Sequence, residues 1–242
     1  MKSGPQSDYN YLLKYILAGD SAVGKSQLLF QFVEGIFKEP LQQTIGIDFG
    51  EINFQINNKI FRIQIWDTSG LENFRSITRL YFSNSACDFL VYDISNRESF
   101  NNVSGWIEDC KNKSSKTTLF VLIGNKTDLN YRREVSFEEG SHLAKKNNMM
   151  FFETSAKNGN NVNEVFLISL KKISEKIEQG YYDFEDDCGI IGGRLSYKIN
   201  KKKDRNKEKV KSVNNGDIKC INLNDDKKMD NKFIYLSKYI NY

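Results

Sequence analysis

Gly19-Asp-Ser-Ala-Val-Gly24-Lys25-Ser26 lies between two segments of different periodicity. Before it, Tyr11 to Ala18 (YLLKYILA) is a continuous apolar and aromatic run, the pattern of a buried strand. After it, Leu28, Leu29, Phe32 and Val33 form a helical stripe within residues 26–34. The octapeptide fits G-x-x-x-x-G-K-[ST], and a strand before it with a helix after it is the setting in which that pattern cradles phosphate. Its glycines let backbone N–H groups curl around an anion, and the helix N-terminus adds positive partial charge. Ser21, Ala22, Val23, Gly24, Lys25, Ser26 and Gln27 are the residues expected around the phosphates. Lys25 is expected to reach the β- and γ-phosphates and Ser26 to ligate Mg²⁺. The competing reading is a glycine-rich turn with no ligand.

The remaining pattern alternates strands with helices. Residues 50–56 and 60–66 alternate in polarity around Asn57-Asn58, which can take positive φ, and together predict a β-hairpin. Phe89 to Ile94, Leu119 to Ile123 and Met149 to Phe152 are short apolar runs of the kind found in central parallel strands. Helices are expected near 98–111, 136–147 and 161–179. This order predicts a doubly wound α/β fold with helices on both faces of a six-stranded, mostly parallel sheet. The hairpin strand supplies its one antiparallel member. A ligand is then expected at the C-terminal ends of the strands.

Composition narrows the function classes. Hydrophobic residues make up 39% of the 242-residue chain, enough for an ordinary core, and no apolar run is long enough to span a bilayer. Met1 to Asn10 lacks the apolar stretch of a secretory signal, so the chain is expected to stay in the cytosol. Cys87, Cys110, Cys188 and Cys220 are scattered, with no Cys-x-x-Cys pair; Cys87 reads as a core residue and the others as incidental. His142 is the only histidine, which argues against chemistry built on a Ser-His pair. The net charge is +4, yet residues 194–242 carry 14 Lys and Arg against 6 Asp and Glu, which leaves the rest of the chain mildly acidic. Such a tail reads as solvated and disordered, or as a segment drawn to anionic membrane surfaces. Nucleic acid is the poorer partner, because no RNA-binding motif or DNA-reading helix accompanies the basic residues.

A base pocket is marked as clearly as the phosphate loop. Asn125-Lys126-Thr127-Asp128 follows the strand at 119–123, and Glu153-Thr-Ser155-Ala156-Lys157 follows the next. A carboxylate such as Asp128 can accept hydrogen bonds from the N1–H and exocyclic amine of guanine together. A site built on such bonds rejects bases that lack them. A P-loop kinase or ATPase is the disfavoured rival.

In this order, Gly19–Ser26, Thr44, Asp67–Gly70, Asn125–Asp128 and Ser155–Lys157 resemble the Ras-superfamily small GTPases. Ile45-Gly-Ile-Asp-Phe49-Gly, Ile63-Gln-Ile-Trp66-Asp and Leu90-Val-Tyr-Asp-Ile94 are similar to Rab proteins. Tyr11-Leu-Leu-Lys-Tyr15, Phe74-Arg-Ser-Ile-Thr-Arg79 and Arg132-Arg-Glu-Val135 resemble the second Rab subfamily, linked with traffic between endoplasmic reticulum and Golgi. The resemblance covers residues 9 to about 193 and implies a P-loop G domain over 9–179 with a hypervariable linker over 180–195, while composition marks 196–242 as a basic, disordered extension. It implies that GTP and GDP are the ligands and that Thr44 meets Mg²⁺ and the γ-phosphate. It has Asp67 hold the metal through water, the Gly70 N–H bond the γ-phosphate and Phe37 pack on guanine. Residues 36–47 and 67–82 would be the two switches. Ile45, Phe49, Trp66 and Tyr81 would meet effectors. Trp66 reads equally as a core residue, and Tyr81 as an exposed contact. An exchange factor, an activator and a dissociation inhibitor are the other implied partners. The implied location is the cytosolic face of endoplasmic reticulum and Golgi membranes.

Three positions depart from that pattern. Leu71 stands where a Gln normally orients the attacking water, and its side chain can neither donate nor accept a hydrogen bond. Binding is expected to survive and intrinsic hydrolysis to be slow, with the alternative that Leu71 only widens an apolar effector surface. Ser69 replaces the usual Ala, with no expected effect assigned. The chain ends Ile240-Asn-Tyr242 without the prenylated cysteine usual in the family, so stable anchoring is not expected: either the protein is soluble or only peripherally bound through its basic patch, or this tail is not the natural one.

Overall fold

A computed structural model of the protein describes residues 9–39, 42–184, 188–192 and 218–221, the last as backbone only. The chain opens with β1 (Tyr11–Ala18), α1 (Lys25–Glu34) and the hairpin strands β2 (Ile47–Ile56) and β3 (Lys59–Thr68). A short 3-10 turn (Glu72–Phe74) leads into α2 (Arg75–Tyr81), then β4 (Cys87–Asp93), α3 (Arg97–Lys113) and β5 (Leu119–Asn125). A second 3-10 turn (Thr127–Arg132) precedes α4 (Phe137–Lys146), β6 (Met150–Glu153) and α5 (Val162–Glu178). Two short strands follow, β7 (Ile190–Ile191) and β8 (Ile218–Ile221).

The expected six strands form one sheet in the order β6-β5-β4-β1-β3-β2, with β8 beyond β2. All pairings from β6 to β3 are parallel, and β2 runs antiparallel to β3. The turn of that hairpin sits at Asn57 and Asn58, with φ of 49° and 61°, as their tolerance for the left-handed region predicts. One face of the sheet packs Leu13, Tyr15 and Leu17 against Leu28, Leu29 and Phe32 of α1 and Phe166 and Leu170 of α5. The Phe32 and Phe166 rings stack there with centroids 4.0 Å apart. The opposite face packs Ile16, Leu90 and Tyr92 against Val103, Trp106 and Ile107 of α3 and Ala144 of α4. Asn96 caps α3 through a bond from the Ser99 N–H (3.1 Å), and Ser136 with Glu139 forms a capping box on α4.

The described part of 180–195 packs onto the domain. Tyr182, Cys188 and Ile190 are buried, and β7 pairs antiparallel with Leu12 and Leu13. The cause is backbone accounting: β4 pairs with β1 only from Tyr15 onward, and β7 fills the vacant edge before it. Cys110 and Cys188 are core residues as Cys87 is, not incidental ones. Most of 196–242 lies outside the described residues, but Ile218–Ile221 pairs antiparallel with Asn53–Ile56 and is a strand. Among the described residues no helix is long and apolar enough to cross a membrane.

Candidate nucleotide site

The loops at the C-terminal ends of β1, β3, β5 and β6 surround one cavity of about 480 Å³. Ser21, Ala22, Gly24, Lys25 and Ser26 line one end, and Asn125, Lys126, Asp128, Ala156 and Lys157 the other. Gln27, Phe37, Thr44 and Gly70 complete the wall. Of the residues expected at the nucleotide, Val23 and Ser155 do not line it and act from behind. Val23 offers its carbonyl to Asn125 Nδ2 at 3.0 Å. Ser155 is buried and donates its hydroxyl to Asp128 Oδ1 at 2.6 Å, which aims the carboxylate.

Asn125 organises the base end. Besides its bond to Val23, its Oδ1 accepts from Thr154 Oγ1 (3.0 Å) and from the Ala156 N–H (3.2 Å). One buried amide thus ties the phosphate loop, β5 and the 154–156 loop together. It also explains Gly24, where a Cβ would stand 2.4 Å from Asn125 Nδ2. Lys126 adopts φ 69° and pairs with Asp93 at 2.7 Å.

At the phosphate end, Lys25 Nζ donates to the carbonyls of Gly19 (2.8 Å) and Asp20 (2.7 Å). Burial pushes its ammonium down to about 8, against the pull of Asp67 and Asp20. A polyphosphate beside it would supply the anionic partner that burial calls for. Ser26 Oγ lies 2.9 Å from Thr44 Oγ1 and donates to Asp67 Oδ2, which also accepts from Thr44 at 3.3 Å. Burial raises the Asp67 carboxyl above its usual range, opposed by the bond from Ser26 and by Lys25. Asp67 Oδ1 is buried with no hydrogen-bond partner. Two hydroxyls and one carboxylate with a spare oxygen form a hard-oxygen donor set that fits Mg²⁺ held partly through water and phosphate. Among the described residues no cluster of three or more His, Cys, Asp or Glu occurs, so this sparse set is not a dedicated protein cage.

The chain at Gly70 crosses the phosphate loop closely. A Cβ on Gly70 would lie 2.3 Å from the Asp20 carbonyl carbon and the Ser21 nitrogen, so only glycine allows this approach. The buried Ser69 hydroxyl accepts the Leu71 N–H at 3.3 Å, which gives this serine a role in shaping the turn. Leu71 is half-buried and borders an adjoining cleft of about 460 Å³ beside Asp20, Asn96 and Asn102, not the main cavity.

The surface beyond Thr44 is apolar. Ile45 is 81% exposed and Phe49 46%. Phe49 meets Trp66 edge-on at 5.4 Å, and Trp66 lies 5.5 Å from Tyr81. Trp66 and Tyr81 are both half-buried, so Tyr81 is less exposed than expected. Sequence reasoning missed Glu39, Gln42, Gln43 and Leu129 on the cavity wall, although three of them adjoin Thr44 or Asp128 closely enough to be found. It also missed Asp20, which Trp106 Nε1 (2.7 Å) and Asn102 Nδ2 (2.8 Å) fasten to α3.

A P-loop joined to a metal-suited oxygen cluster, with an Asn–Asp base end, defines a small GTPase. The Ras family model matches residues 14–175. The chain belongs to the Rab branch of that family. It is 49% identical over 172 residues to the Ras-related protein Rab-2B of Dictyostelium discoideum, covering 71% of this chain and 85% of the relative. Members of the family bind GTP and GDP, typically with Mg²⁺, and work with effectors, exchange factors, activators and a dissociation inhibitor.

Proposed function

We propose that this protein is a GTP-dependent switch of vesicle traffic between endoplasmic reticulum and Golgi whose own hydrolysis of GTP is slow. The observation that carries the reading is the single cavity that joins Lys25, Ser26 and Thr44 to Asn125 and Asp128. Its lining suits a polyphosphate at one end and a guanine at the other. Asp128 recognises N1–H and the exocyclic amine, Phe37 packs on the ring and Lys157 closes the pocket.

Hydrolysis converts GTP and water to GDP and phosphate. Lys25, Thr44 and the Gly70 N–H would stabilise charge on the γ-phosphate, while Ser26, Thr44 and Asp67 would hold Mg²⁺, which would supply further neutralisation of the phosphates when bound. Leu71 contributes no hydrogen bond to the attacking water, so this positioning element is absent. GTP-bound protein would present Ile45, Phe49, Trp66 and Tyr81 to effectors. The basic stretch 194–242 would add attraction to anionic cytosolic membrane surfaces at ~1 kcal/mol per basic residue near the surface. G domain, linker and extension are proposed as 9–179, 180–195 and 196–242, with the described part of the linker folded back onto β1.

Single-turnover hydrolysis by purified protein, compared with a Leu71→Gln variant, tests the reading. The variant is expected to hydrolyse GTP at least about tenfold faster, in line with the share of catalysis that water positioning carries. Equal rates overturn the slow-hydrolysis assignment. A second reading is an effector-recruiting module held permanently with GTP. It is favoured by Leu71 bordering the adjoining cleft, away from the main cavity. Nucleotide extracted after purification separates the two: mostly GDP supports the switch, mostly GTP the module.

A further inference from the structure

We propose that the outer face of α1 is a clamp on the backbone of the first switch, with Gln27 as its positioning residue. The clamp sets how long a guanine nucleotide stays bound, and so rests on the nucleotide-binding reading above. The described residues of this stretch, 35–39 and 42–46, form neither helix nor strand. Backbone groups there need partners from elsewhere. The Gln27 side chain supplies both at one residue. Its Oε1 accepts the Lys38 N–H at 3.1 Å, and its Nε2 donates to the Lys38 carbonyl. A side-chain amide here does what a neighbouring strand would do. Gln27 is 9% exposed, so these bonds are sheltered from competing water.

Two more residues on the same helix face hold the Lys38 side chain. Glu34 pairs with its ammonium at 3.0 Å, and the Phe30 ring lies beneath it with the nitrogen 3.5 Å from the centroid. Positions 27, 30 and 34 fall on one side of a helix. Lys38 is therefore gripped through its main chain and its side chain. The residue before it is Phe37, which lines the cavity with Gln27. Fixing Lys38 fixes where Phe37 stands. The clamp bears on the base end of the ligand, whereas the neighbouring Ser26 bears on the metal end.

Release of fluorescently labelled GDP and GTP, chased with excess unlabelled nucleotide, tests the clamp in Mg²⁺ and again in EDTA. Gln27→Ala removes both bonds, and Gln27→Met removes them while keeping a buried side chain of similar length. Both are expected to release either nucleotide about tenfold faster, the effect of losing two sheltered hydrogen bonds. The same ratio to wild type is expected in EDTA. Lys38→Met keeps the backbone pair and loses only the Glu34 and Phe30 contacts, so a smaller acceleration is expected. Combined with Gln27→Ala it should fall short of the product of the two, because both act on one residue. Wild-type release from the folded Gln27→Met variant overturns the clamp alone. An effect that vanishes in EDTA also overturns it, because Gln27 would then act through the metal end. Wild-type protein that retains no guanine nucleotide overturns both this inference and the reading beneath it.

Discussion

Asn125 shows how much of this site depends on single side chains. Its amide bonds to Val23, Thr154 and Ala156 in a buried setting, so three segments share one keystone. Removing it leaves buried partners unsatisfied, which costs more than the net value of the bonds themselves. Asn125→Ala is expected to destabilise the protein by about 2–4 kcal/mol and to weaken guanine nucleotide binding in parallel. Thermal melts with and without GDP check both effects. At this scale the sequence was highly legible, because motif residues carry their geometry with them: Gly24, Lys25, Asn125 and Asp128 all meet around one cavity. Ser69 was not legible, because its effect lies in a bond to the backbone two residues on. Asp20 and its bonds to Trp106 and Asn102 span more than 80 residues of chain, a separation that no local pattern records.

Among the elements, α2 is the one that periodicity failed to reveal. It is seven residues long and buries only Thr78, while Ile77 and Leu80 are 45% and 69% exposed. A helix with no apolar stripe toward the core gives no helical signal. It is held instead by charge. Asp109 of α3 accepts from Arg75 Nε and pairs with Arg79 Nη2, each at 2.7 Å, and Lys14 Nζ donates to the carbonyls of Tyr81 (2.6 Å) and Ser83 (2.8 Å). Burial opposes the charge on Asp109, but the two guanidiniums outweigh it and hold the carboxyl below its usual range. A depressed carboxyl stabilises the fold above its unfolded-state value and loses that contribution as pH falls through the lowered one. Asp109→Asn is expected to cost about 1–2 kcal/mol, concentrated in α2. Hydrogen exchange should show faster exchange in Arg75–Tyr81 with β4 and β5 unchanged. The longer strands and helices were legible because each has a face that touches core, whereas β7, two residues long, declares itself only through the unpaired edge of β1.

Over the whole molecule the two ends of the sheet have different chemistry. The C-terminal ends of the parallel strands hold the cavity. The start of β4, at the other end, holds Asp88, a carboxylate that is entirely buried. Its Oδ2 accepts the Ser114 hydroxyl at 2.6 Å, and its Oδ1 has no hydrogen-bond partner. Burial pushes this carboxyl from its ordinary 3.8 up to about 6, against the Ser114 bond, the neighbouring Ser85 hydroxyl and the charge of Lys14. The folded protein then keeps a proton that the unfolded chain releases. The contribution of Asp88 to stability is therefore highest below the ordinary value, falls as pH rises toward the raised one and stays lower above it. At neutral pH the ionised form costs at most roughly 3 kcal/mol. Asp88→Asn keeps an oxygen for Ser114, and its melting temperature is expected to exceed wild type at pH 7.5. The advantage should shrink by pH 5; an equal advantage at both pH values contradicts the assignment.

The pairing of Ile190 and Ile191 with Leu13 and Leu12 sets the point of departure for everything after Gly192. That point is beneath the first residues of β1, at the antipode of the nucleotide mouth. A pull applied at Gly192 would therefore load the base of β1, at the opposite end of that strand from Thr44 and Gly70 on the cavity wall.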